Sequence, residues 1–198
     1  SSPVDADFDV IYHQNIIKRF LENWGYRAKP INEGLSVIFS ELAKDNFTGI
    51  GISFGGGMAN VCFAVMAVPV FSFSIARAGD WIDEQVARVT NETVSKITAL
   101  KEANLNLNLA EDSSDKIDQA FYIYHNHLIG YVLEQIKNEF EKNPKPKLEK
   151  PVPIVLAGGT AMPKGFLSMF KGELEKTKLE IFESRTKGKK HAVKEFAK

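Results

Sequence analysis

The sequence predicts an α/β domain, a mixed sheet with helices on its faces. Three features carry that reading. Period-two apolar alternation marks two stretches between Ile50 and Ile75, with a continuous apolar run from Val61 to Ala67 between them. An apolar run from Pro153 to Ala157 passes through glycines into a helical pattern. From Asp115 to Asn143 apolar residues return every three or four positions. Strands that come first as a meander and later alternate with helices build a mixed sheet covered by helix.

Between Asp9 and Trp24 the residues Ile11, Tyr12, Ile16, Phe20 and Trp24 recur at helical spacing, and Gly25 stands where a left-handed cap falls. A shorter helix follows Pro30, with Asn32 and Glu33 at its start and Leu35, Ile38, Phe39 and Leu42 along one side. In the first strand Ile50, Ile52 and Phe54 share one face and Gly49, Gly51 and Ser53 the other, until Gly55-Gly56-Gly57 ends it. Val61 to Ala67 is the second strand and Val68-Pro69 the expected turn. In the third, Phe71, Phe73 and Ile75 alternate with Ser72 and Ser74.

Asp80 is the expected N-cap of the next helix, with Asp83 three residues on. Ile82, Val86, Val89, Ile97 and Leu100 continue its stripe, with a break near Thr90-Asn91. Asn104 to Leu109 alternates Asn with Leu and reads as a loop or an edge strand. The long helix from Asp115 is stopped by Pro144 and Pro146. After Gly158-Gly159 a helix carries Pro163 in its first turn. Leu179 and Ile181 alternate with Glu180 and Glu183 in a fifth strand, and Ala192, Val193 and Phe196 pattern a terminal helix. If the first and fourth strands are parallel neighbours, a right-handed crossover brings both glycine loops to the same sheet edge.

At 198 residues the chain has the size of one domain, and 44% apolar with 25% charged residues excludes intrinsic disorder. Twenty-five basic residues balance 25 acidic ones, so the chain lacks the general basic footprint of a nucleic-acid binder; the cluster of Lys187, Lys189, Lys190 and Lys194 reads as a solvated face. The single Cys62 cannot form an internal disulfide, which fits a reducing, cytoplasmic setting. Lying in an apolar strand without a local base, it reads as a buried, inert thiol. The most apolar stretch, Val61 to Ala76, is broken by Pro69, Ser72 and Ser74 and reads as two strands rather than a membrane span. No signal-peptide pattern opens the chain. Its start at Ser1-Ser2-Pro3, without an initiator Met, is the pattern of a piece excised from something longer.

Two loops carry the candidate chemistry. In Phe54-Gly55-Gly56-Gly57-Met58 the glycines leave backbone N–H groups open to phosphate oxygens, or simply make a tight turn. In Leu156-Ala157-Gly158-Gly159-Thr160-Ala161-Met162 the amides and the following helix favour an anionic or polar ligand, or the glycines allow close packing. Neither is a Rossmann fingerprint, because strand follows the first loop, nor a Walker A loop, because no Gly-Lys-Ser or Gly-Lys-Thr follows the glycines. His125 and His127 point to different sides of one helix, with no acidic or thiol partner at metal-ligand spacing, and read as surface or packing residues.

Together these motifs resemble the actin-like ATPase superfamily, which includes bacterial actin homologues, heat-shock chaperone ATPase domains and sugar kinases. Four segments carry the resemblance, in the family's order: Asn32-Glu33, Phe54-Gly55-Gly56-Gly57, Ala78-Gly79-Asp80 with Asp83, and Leu156 to Ala161 followed by Lys164-Gly165. The resemblance implies a ribonuclease-H-like fold with a mixed five-stranded sheet, a three-stranded meander then two βα units, with helices on both faces. It covers only the second of the family's two lobes, as one domain over residues 1–198, with 1–47 its leading helices and 104–115 a reduced insertion.

The function so implied is binding of ATP or ADP with magnesium, the metal not held by this chain directly. Gly55, Gly56, Gly57 and Met58 would face phosphates, and Gly158, Gly159, Thr160 and Met162 adenosine. Glu33 would orient water, although its charge equally suits a helix N-terminus. Lys96, Lys101 and Glu102 are the base-contacting candidates on the helix after Asp80. Ser53 stands where the family carries an acidic residue and Met58 where it carries a hydroxyl, so ATPase activity is in doubt and would need the first lobe of the same protein. Ser53 and Met58 also favour a competing expectation, a non-hydrolysing module for self-association or protein docking.

Overall fold

The computed structural model describes residues 3–5, 11–143, 152–177 and 193–195. Helices α1 (Ile11–Asn23) and α2 (Glu33–Glu41) lead into the antiparallel meander β1 (Gly49–Phe54), β2 (Ala59–Val65) and β3 (Val68–Ile75). Next come α3 (Gly79–Thr90), α4 (Val94–Asn104), α5 (Leu107–Ala110) and the 27-residue α6 (Lys116–Lys142). β4 (Ile154–Ala157) then lies parallel to β1, with Ile52 opposite Leu156, and α7 (Phe166–Thr177) follows it. This is a mixed sheet in the order β3-β2-β1-β4.

Alternation along β1 fixes which helices cover which face. Ile50, Ile52 and Phe54 point into the larger core, where α3, α6 and α7 supply Ile82, Val86, Leu128, Val132 and Phe170. Residues of the opposite parity face α2, whose Leu35, Ile38 and Leu42 pack with Cys62, Ala64 and Val155. Here α2 approaches without side chains between. A Cβ on Gly34 would lie 2.7 Å from the Cys62 nitrogen and from the Gly51 oxygen, and one on Gly51 would run into the Gly34 carbonyl. Glycines at both positions therefore set the depth at which α2 seats on the sheet.

Several expectations are corrected. The hairpin turn is Met66-Ala67, both at positive φ (49° and 67°), so Val68 and Pro69 belong to β3; Ala67 N–H bonds Phe47 O and Met66 N–H bonds Thr48 Oγ1, which hold the turn. The Asn104–Leu109 stretch forms no strand beyond a single parallel bridge of Asn106 to Lys164: Asn104 ends α4, and Asn106 caps the short helix α5 through Asn108 N–H. Asp80 is not the N-cap of α3. Ala78 holds that place with no side-chain bond, because the orphan N–H groups of Gly79 and Asp80 donate to Gly55 O (3.1 Å) and Gly56 O (2.9 Å). Pro163 precedes α7 rather than lying in its first turn. The stripe residues Val89 and Leu100 are exposed, whereas the break expected near Thr90-Asn91 is found there, with Asn91 in left-handed conformation.

The strand expected around Leu179 and Ile181 lies outside the described residues, as does most of the lysine cluster. The terminal helix expected around Val193 is instead extended: β5 (Val193–Glu195) pairs parallel with β4. The helix expected near the N-terminus forms as α1, yet none of its residues is buried. Among the described residues no helix is long and apolar enough to cross a membrane.

Candidate functional site

Parallel pairing of β1 with β4 brings both glycine loops to one sheet edge. Phe54 ends β1 and the first loop turns back at once, closed by Gly55 N–H donating to Met58 O at 3.0 Å. That bond uses the Gly55 amide. Those of Gly56 and Gly57 are exposed and donate to no group among the described residues. Gly158, at φ 98°, crosses so close to Phe54 that a Cβ there would strike the Phe54 backbone, so the second loop lies directly against the end of β1.

One side chain ties the loops together. Thr160, 5% exposed, donates from its hydroxyl to Gly55 O at 2.7 Å, so it faces the first loop rather than solvent. Gly158, Gly159 and Met162 remain on the surface beside it. The N-terminus of α3 completes the arrangement, with Gly79 and Asp80 bonded to the same loop. Asp80 extends its exposed carboxylate over Gly56 and Gly57. The motif Ala78-Gly79-Asp80 marked this segment, but the position of the carboxylate over the glycines depends on the loop bonds and was not legible.

A second polar group lies across the meander. Ser53, Asn60 and Ser74 are cross-strand neighbours in one row, Ser74 Oγ donating to Asn60 Oδ1 at 2.7 Å and Asn60 Nδ2 to Glu33 Oε2 at 2.9 Å. Glu33 is the first residue of α2, where its charge suits the helix N-terminus; Asn32 caps that helix by accepting from Gly34 N–H. Ser53 is 2% exposed and Met58 half-buried; of the exposed carboxylates, that of Asp80 lies over the first loop and that of Glu33 against Asn60. Sequence reasoning missed Asn60 and Ser74, whose role depends on strand register.

The remaining candidates separate cleanly. Lys101 is drawn into a buried ion pair with Asp83 at 2.7 Å, and Thr98 donates to the same carboxylate oxygen at 2.8 Å. Lys96 pairs with Glu92 on the surface, and Glu102 is exposed. His125 is fully buried with Nδ1 2.7 Å from Phe121 O; His127 is exposed against Tyr124. Cys62 is a buried free thiol whose pKa burial pushes up to about 12, as an inert core cysteine requires. No group of metal-ligating side chains occurs among the described residues.

A mixed sheet with two loops meeting at one edge over a helix N-terminus suits a lobe of actin-like fold, and comparison with solved structures shows that fold. The MamK double helical filament matches with a TM-score of 0.67 and 15% identity, over 99% of this chain and 63% of that one. The ethanolamine utilization protein EutJ from Carboxydothermus hydrogenoformans matches with a TM-score of 0.55 and 16% identity, over 82% of this chain and 49% of that one. The PilM-PilN type IV pilus biogenesis complex matches with a TM-score of 0.53 and 16% identity, over 72% of this chain and 38% of the matched one. All are actin-like ATPase superfamily members, and this chain spans less than two thirds of each. The chain belongs to the Volactin family, whose model matches residues 1–185. No curated protein matches it.

Proposed function

We propose that this chain is the nucleotide-binding half of an actin-like clamp, a ribonuclease-H-like second lobe with a five-stranded sheet, 1–47 its leading helices and 104–115 a reduced insertion. The observation that carries the reading is the Thr160–Gly55 bond, which together with the Gly79 and Asp80 amide bonds gathers two glycine loops and a helix N-terminus at one edge. Gly56 and Gly57 offer amides to phosphate oxygens, with Gly55 and Met58 shaping their turn. Gly158, Gly159 and Met162 form the adenosine side, and Thr160 holds it in place.

The acidic side chains fit magnesium better than free phosphate. The Asp80 carboxylate over Gly56 and Gly57 repels an unaccompanied polyphosphate and accepts hydrogen bonds from the waters of a cation that arrives with it. Magnesium supplies charge neutralisation of the phosphates; the chain supplies amides, Asp80 and, through Asn60, an oriented Glu33. Affinity is weak in this lobe alone, since half of a clamp neither encloses the ligand nor excludes water. A cytoplasmic setting suits both the nucleotide and the reduced thiol of Cys62.

Titrating magnesium-ATP and magnesium-ADP into nitrogen-15-labelled protein tests the proposal. Amide shifts should concentrate at Gly56, Gly57, Gly158 and Gly159. Shifts confined to other regions, or none at millimolar nucleotide, reject it.

A second reading, a non-hydrolysing module for filament assembly or partner docking, is favoured by the buried, uncharged Ser53 and by Met58. Two of the structural relatives stand in assemblies, MamK in a double helical filament and PilM in a complex with PilN. Measurable ATP hydrolysis by the protein expressed from its whole gene rules this second reading out.

A further inference from the structure

Residues near the start of the chain lie against the end of the meander. Pro3 forms a parallel bridge with Ser74, and Val4 N–H donates to Ser74 O at 2.8 Å. Asp5 thereby comes to the link between β3 and α3, with its side chain 6% exposed. One carboxylate oxygen accepts from Ala76 N–H at 2.6 Å and the other from Arg77 N–H at 3.4 Å. The Arg77 side chain adds a looser contact, Nε 3.8 Å from Asp5 Oδ2, while its guanidinium lies over the Tyr131 ring of α6 at 4.3 Å.

These bonds sit at the sheet edge that carries the first glycine loop, because Phe54, Ala59 and Ile75 are cross-strand neighbours at the ends of β1, β2 and β3. Helix α3 begins there without a capping side chain. Its approach is held instead by groups distant in sequence: Ala76 and Arg77 by Asp5, Gly79 and Asp80 by the carbonyls of Gly55 and Gly56. A nearly buried carboxylate that accepts backbone amides is a strong anchor, whereas the half-exposed Arg77 contact adds little. The Asp5 oxygens are engaged by amides and turned from solvent, so Asp5 acts through its neighbours rather than on a ligand. We propose that Asp5 is a positioning residue for the nucleotide edge: by fixing Ala76 and Arg77 it sets where α3 begins, and so holds the Asp80 carboxylate over Gly56 and Gly57. This rests on the nucleotide reading given under Proposed function.

Asp5→Ala and the near-isosteric Asp5→Asn test the assignment in the protein expressed from its whole gene. In ligand-free protein, hydrogen exchange at the Gly79 and Asp80 amides should quicken in both variants, since the bonds to Gly55 O and Gly56 O lose their anchor. The second readout is magnesium preference, the ratio of ADP dissociation constants without and with magnesium. It should fall about tenfold, the size of one lost hydrogen bond to a charged group. Asp80→Asn should lower the ratio likewise, and Asp5→Ala combined with Asp80→Asn should lower it no further. Phe140→Leu is the control: Phe140 packs on Phe63, which pairs with Ile50 at the other end of β1, so this change weakens the fold and leaves the ratio alone. Asp5 variants that behave as Phe140→Leu does, destabilised at an unchanged ratio, overturn the proposal. So do unchanged exchange at Gly79 and Asp80, or additive losses in the double variant. Wild type that binds no ADP at millimolar concentration rejects nucleotide binding and this proposal with it, a failure told apart because it needs no variant.

Discussion

The Thr160 hydroxyl donates to the carbonyl of Gly55 at 2.7 Å, joining two loops that lie 105 positions apart. Thr160→Val keeps the shape and deletes the donor. Gly55 O still accepts from Gly79 N–H, so the stability loss should be about 1 kcal/mol, read as a lower urea midpoint with unchanged slope. Under the nucleotide reading, magnesium-ATP affinity falls further than stability does, because the two loops lose their common register. Thr160→Ser should retain both. Equal affinity in Val and wild type would show that the bond serves folding alone.

The seat of α2 gives a second prediction. Gly51→Ala places a methyl against the Gly34 carbonyl, and because the blocking atom is backbone, a side-chain shift cannot relieve the clash; Ile38 Cγ1, 3.0 Å away, crowds it further. Overpacking of this kind costs about 1–3 kcal/mol. Gly130, inside α6, has nothing within 4 Å of its would-be Cβ, so Gly130→Ala should stabilise by about 0.5–1 kcal/mol through helix propensity. Opposite shifts of the two thermal midpoints confirm that the first effect is steric.

What was legible in the sequence follows from the range of the signal. Periodicity located β1, α2 and α6 because each alternation or stripe is local and its partners need only be apolar. The convergence of the loops was legible as well, since a right-handed crossover leaves few ways to place β4 beside β1. The cap of α3 was not, because the groups that satisfy Gly79 and Asp80 come from carbonyls of a distant loop. Nor was the Glu33–Asn60–Ser74 chain, which exists only once strand register is set. Helix α1 fails differently: its pattern correctly predicts a helix, but amphipathicity does not say whether the apolar side is buried within the chain.

Asp83 and Lys101 make a third test. Their side chains are 3% and 14% exposed, and Asp83 also accepts from Thr98. Lys101→Met leaves a buried carboxylate without its cation and should cost about 3–5 kcal/mol. Adding Asp83→Asn removes the orphaned charge and should recover most of the loss in a double-mutant cycle. If the double variant is no more stable than Lys101→Met, the deficit comes from lost packing around the lysine stem.

His125 links burial to pH. Burial disfavours its charged form and nearby Lys101 adds to that; the Phe121 carbonyl and Asp83 oppose, and the net result is a pKa lowered to about 4. The unfolded chain takes up a proton near the ordinary value of about 6.5, which the folded chain refuses until well below it. The neutral ring's contribution is therefore fully present above about pH 6.5 and is lost as pH falls toward 4. At about 1.4 kcal/mol per pH unit, the total is about 3 kcal/mol. His125→Asn, which can keep a donor to Phe121 O and does not titrate, should lose less stability than wild type between pH 6.5 and 4 when urea midpoints are compared, while carboxylate effects common to both cancel. Parallel curves would mean that His125 protonates in the folded protein as readily as in the unfolded one, and that its packing against Phe166 of α7 opens to admit the charge.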